Sequence, residues 1–177
     1  MAVPTTTDSY GMFELKKLSP EALDGARDKA AQYRLLNHPF LAESICRDIL
    51  EVNPDDQGTL VTLCLTLCDQ FGVEGGATVR TAMDIVEQLD GDYDRMYYSG
   101  MVAERMAFSI LRRGGMAAGE VAYDWFVKAM RHFEAAEAIR PPGNDDAILR
   151  WNTCARVMNA RADVRLGHEE AGRSMLE

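Results

Sequence analysis

A chain of 177 residues with 47% apolar and 27% charged side chains has the composition of one globular domain, long enough to bury roughly 70% of its unfolded surface. Its formal net charge of −9 argues against the basic face that nucleic-acid binding uses. No run approaches the roughly 18 uninterrupted apolar residues of a membrane span, and the opening MAVPTTTDSYGMFELKK lacks the basic-then-apolar order of a secretory signal.

In chain order, residues 1–18 read as a tail without strong periodicity. Ser19-Pro20-Glu21 then has the form of a helix start: a capping serine, proline at the first helical position and an acid in the first turn. That helix is predicted to run to about Leu36 and to break at Asn37-His38-Pro39. A second helix, from about Phe40 to Val52, must stop before Pro54, because proline forces the residue before it out of helical geometry.

Asp55-Asp56 supplies the next cap, and a third helix carries Leu60, Leu63, Cys64, Leu67, Cys68 and Phe71 before Gly72 and Gly75-Gly76 end it. The fourth is predicted from Ala77 to Leu89, and the fifth, longer, from Tyr93 to Arg112. The sixth runs from about Ala117 to Ile139 and halts at Arg140-Pro141-Pro142-Gly143. The seventh starts at Asn144 or Asp145 and carries Trp151, Cys154 and Val157, with a tail over 167–177. No segment alternates as a strand would, so the expected class is all-α.

One ending is written twice. Ala42, Cys46, Ile49 and Pro54 step by 4, 3 and 5 residues, and so do Ala129, Phe133, Ala136 and Pro141. This spacing resembles the tetratricopeptide repeat, a helix–turn–helix of about 34 residues whose second helix carries a small residue, an aromatic, alanine and then proline at these intervals. The resemblance covers about 20–166 and is uneven. The unit at 23–56 fits well, the unit at 57–90 has an expanded glycine-rich turn, and in the third, with Gly100 at its small-residue place, the proline comes late.

What the resemblance implies is a right-handed α-α superhelix of about three helix-turn-helix pairs over 19–166, closed by a C-terminal capping helix. It further implies a concave groove lined by the first helix of each pair, where a protein or peptide binds. Carried onto this chain, the partner-binding residues are Arg27, Arg34, Asp69, Tyr97, Met101, Glu104, Asn152 and Arg156. The lysine and asparagine set that clamps C-terminal carboxylates in chaperone-binding members is missing. The alternative from another class is a ligand-sensing helical bundle with a small-molecule pocket near Trp125 and Trp151. Pairing of two copies through a terminal helix stays open.

Catalytic signatures are lacking: no phosphate loop, no His-Glu-x-x-His and no Gly-x-Ser-x-Gly occurs. Asp90-x-Asp92-x-Asp94 copies the first ligands of a calcium loop, but its sixth and twelfth places hold Arg95 and Met101 instead of glycine and glutamate. These acids are read as a helix N-terminus. Cys64 and Cys68 lie one turn apart without a histidine or acid to complete a tetrahedron. All four cysteines, these two with Cys46 and Cys154, sit in apolar helical patterns, where a reduced thiol packs as a small hydrophobe, and a reducing, cytoplasmic setting is expected. His38, His132 and His168 are scattered. The stretch Tyr93–Met106 is rich in tyrosine and methionine, residues suited both to core packing and to contact with a partner. The expectation is therefore a non-catalytic, metal-free and cofactor-free interaction module.

Overall fold

The structure is a computed structural model that describes residues 13–165. Those residues form seven α-helices and one 3-10 turn, with no strand among them. The chain is all-α. The tail expected at 167–177, with His168, and most of that at 1–18 lie outside the described residues.

A 3-10 turn at Pro20–Ala22 leads into α1, Leu23–Leu35. Ser19 does not cap it: its side chain makes no bond to the helix, and the proline instead starts a tight turn from which the α-helix grows. At the other end Asn37 has φ 59°, the left-handed conformation that asparagine tolerates. The His38 N–H donates to Tyr33 O and the Asn37 N–H to Arg34 O, which satisfies the last carbonyls as a glycine cap would. Pro39 then sits at the first position of α2, Pro39–Val52.

Asp56 caps α3, Gln57–Asp69, by accepting the Thr59 N–H. Helix α3 ends two residues before Phe71, the last residue of its expected apolar stripe, so that Phe71 is buried from a loop. Helix α4, Val79–Val86, is shorter than the span expected, because Thr78 caps it late and Leu89 reaches the core from the following turn. The two long helices are α5, Asp92–Arg113, and α6, Ala118–Ala138. Helix α7, Asp146–Ala160, closes the described chain.

Each helix packs on the next, and the odd-numbered helices also touch in order, α1 on α3, α3 on α5, and α5 on α7. Among the described residues no comparable packing joins α2 to α4 or α4 to α6. Two cores result. The first, from α1 to α4, is aliphatic and sulfur-rich, with Leu60, Leu63, Cys64 and Leu67. The second, between α5, α6 and α7, is built on Phe126, Phe133 and a set of alanines. Helix α5 serves both. At Gly100 an added Cβ would lie 2.5 Å from the Phe133 ring, so the small residue lets α6 press against α5, as the repeat-like spacing anticipated.

Candidate interaction site

The odd-numbered helices share a face, and ion pairs cross from each to the next. Arg27 on α1 reaches Asp56 at the start of α3, its Nε 2.7 Å from the carboxylate, and also Asp24. Arg34 Nε donates to Asp69 at the end of α3 over 2.8 Å. Arg105 on α5 approaches the same Asp69 at 3.6 Å. Arg150 on α7 donates to the fully buried Glu104 of α5.

Electrostatics follow from burial. Desolvation would lift the Asp56 carboxyl, but Arg27 and the Thr59 N–H together hold it below its ordinary value. Glu104 goes the other way: burial raises it and Arg150 only partly offsets that. Burial beside Glu104 pushes the Cys154 thiol up to about 12, and burial lifts Cys46 to about 11. Cys68 is raised too, by its bond with Cys64 and by burial. All four cysteines are buried and unbridged, so the described thiols pack as hydrophobes.

The eight residues expected to bind a partner therefore fare differently. Arg27, Arg34 and Asp69 join neighbouring helices while staying partly accessible. Met101 and Glu104 are buried, 7% and 0% exposed, because α7 and α6 cover that side of α5. Tyr97 is half-buried, stacked on Tyr93 at 5.8 Å and tilted against Phe133, and Tyr93 Oη donates to Asn144. Asn152 is half-buried and Arg156 is exposed. Asp92, of the acidic triplet, pairs with Arg95. Among the described residues no three His, Cys, Asp or Glu side chains come together to hold a metal.

One end of this face opens into a cleft of about 520 Å³. Its walls come from three places: Asn37 to Leu41 at the α1–α2 turn, Asp69 and Phe71 to Val73 after α3, and Ser109, Arg112 and Arg113 at the end of α5. A second hollow of about 360 Å³ shares Asn37, Asp69 and Arg112 and adds Cys68, Arg105 and Phe108. Of the residues lining the larger cleft, Phe40 is 48%, Leu41 51% and Val73 50% exposed, and Leu35 and Leu36, at 85% and 57%, precede Asn37 in the chain. Burying such groups is favourable by about 25 cal/mol per Å², so exposed apolar side chains that line one cleft make it the candidate interaction site.

The loop that forms one wall is fixed. Ser109 Oγ donates to Phe71 O over 2.8 Å. The buried Gln70 side chain donates to Glu43 and accepts the Ala77 N–H. Gly72 has φ +84°, and a Cβ there would meet Ser109 Oγ at 2.7 Å. Glycine is needed at that point both for the turn and for the close approach of α5.

Sequence reasoning named Asp69 in this region but not the rest. The available signal was local: Leu35-Leu36 and Phe40-Leu41 flank a turn that requires no such apolar residues. The tryptophans suggested for a ligand pocket are otherwise engaged, Trp125 beneath Lys128 at 5.0 Å and Trp151 donating to Glu134. No protein-family model, curated protein or solved structure matches the chain.

Proposed function

We propose that this protein is a non-catalytic module that binds a polypeptide, built as a tetratricopeptide-like superhelix of three helix pairs, α1–α2, α3–α4 and α5–α6, with α7 as the cap. Support for the architecture is the packing order: odd helices touch in sequence, and among the described residues no comparable packing joins the even ones, which is the asymmetry of a curved stack. The observation that carries the function is the open cleft lined from 37–41, 69–73 and 109–113, with Phe40, Leu41 and Val73 exposed. Binding there uses the edge of the odd-helix face, with Arg34 and Asp69 beside it. The middle of that face is closed by Glu104–Arg150 and by the tyrosine cluster.

A second reading has one observation in its favour: about 520 Å³ is within the size range of small-molecule sites, roughly 300–1,000 Å³. The exposure of Phe40, Leu41 and Val73 in its walls weighs against it, because small-molecule sites enclose roughly 70–90% of the ligand's surface.

The test is selection of a random-sequence peptide display library on the wild type and on the Leu41→Asp, Val73→Asp variant. Both substitutions are at exposed positions, so folding should persist by circular dichroism. Enriched peptides that bind the wild type and lose at least about tenfold in affinity on the variant, about 1.4 kcal/mol, support the reading. Failure to enrich any peptide, or binding indifferent to the variant, sinks it.

A further inference from the structure

The cleft has an electrical character opposite to that of the whole chain. The chain carries −9, yet four arginines converge here: Arg34, Arg105, Arg112 and Arg113. One carboxylate faces them, and Asp69 is already shared between Arg34 and Arg105. Among the described residues neither Arg112 nor Arg113 has an ion-pair partner, and both are exposed. Of the acids on the adjoining segments, Glu74 lies further along the same loop and Glu43 is bonded to Gln70 and Arg47.

A simpler role for the two arginines is to complement the C-terminal dipole of α5, in whose last turn they lie. That dipole amounts to about half a negative charge. Two guanidiniums exceed it, and Arg105 adds to the same side. The surplus positive charge borders exposed apolar side chains, and arginine's planar fork matches carboxylates in geometry as well as charge.

Resting on the polypeptide-binding reading, we infer that the occupant is an acidic amphipathic segment of a partner protein. Its apolar side chains enter between Leu41, Phe71 and Val73, and its Asp or Glu side chains face Arg112 and Arg113. Complementary charge of this kind chiefly sets the rate of encounter and the choice of partner, and it weakens with salt. A net-acidic protein repels acidic chains on average, and the arginines at the cleft offset that repulsion locally.

The same display library separates this inference from the reading beneath it. Full-length wild type should enrich peptides in which Asp or Glu flanks Leu, Met or Phe. An enriched acidic peptide, labelled and titrated by fluorescence anisotropy, should lose about fivefold or more in affinity on Arg112→Gln, Arg113→Gln. Its remaining affinity should respond little to added salt, and Arg112→Glu, Arg113→Glu should shift enrichment toward basic sequences. Enriched peptides with no excess of acid, or affinities unchanged in the glutamine variant, overturn the inference and leave the polypeptide reading standing. Absence of any enriched peptide defeats both, and saturable binding of dodecanoate in their place would assign the cleft to small anionic amphiphiles.

Discussion

Arginine is used in two ways on the two stretches of the odd-helix face. From the middle of the face to the margin of the cleft, Arg27, Arg150 and Arg34 each end on a carboxylate within or capping a neighbouring odd helix. At the edge, Arg112 and Arg113 are exposed and have no ion-pair partner among the described residues, and they share the cleft with the exposed Phe40, Leu41 and Val73. The first arrangement fixes the spacing between helices, since removing one partner of a buried pair leaves the other without compensation. The second does nothing comparable for the fold. The lesson is that a charge on an expected binding face has to be sorted by its partner before it is assigned to function.

That contrast is most severely strained by Arg150→Ala, which leaves Glu104, 0% exposed, without a counter-charge. A loss of about 3 kcal/mol at neutral pH is expected, at the lower end for buried pairs because Arg150 is partly exposed. Burial already raises Glu104, and loss of Arg150 raises it further. In that state the folded protein holds a proton the unfolded chain releases, so stability falls as pH rises above about 4.3, the ordinary glutamate value. Urea unfolding should therefore show a deficit that shrinks as pH is lowered toward 4. A deficit independent of pH would detach it from Glu104.

Next in size is Asp56→Ala, which removes both the α3 cap and the Arg27 pair, at about 1 to 2 kcal/mol. The sign of its pH dependence follows from the lowered carboxyl. Asp56 contributes its stability above the unfolded value near 3.9 and loses it as pH falls through the lower folded value. Wild type and variant should therefore converge in strong acid, and continued separation there would show that the loss arises elsewhere. Arg34→Gln, at a part-buried pair beside the cleft, should cost about 1 kcal/mol. Smallest of all is Arg112→Gln, Arg113→Gln, which should stay within about 0.5 kcal/mol of wild type by thermal unfolding. A larger loss would place these two with the structural arginines and dissolve the contrast.

The sequence made the helices legible because their ends are written in local chemistry. Asn37 before Pro39, Asp56 before α3, Thr78 before α4 and Gly114 after α5 each stop or start a helix by conformations or bonds within a few residues. Ser19-Pro20 does open the helical segment, but as a 3-10 turn, and the Ser19 side chain makes no capping bond there. The candidate site was much less legible. Met101 and Glu104 fall on the expected inner face of α5, yet whether that face is open depends on α7, whose Arg150 comes from 46 residues further on. The cleft depends likewise on a loop held by Ser109, which is 38 residues from Phe71. Distances of that kind are decided by packing, and the spacing within one helix carries no record of them.

Hydrogen exchange on the full chain, with and without a selected peptide, tests the central claim most directly. The account predicts slowed exchange confined to 35–41, 69–76 and 109–113, with α4, α6 and α7 unchanged on their outer faces. Protection centred on α7 around Asn152 and Arg156, with the cleft unaffected, would contradict it and return the binding surface to the middle of the odd-helix face.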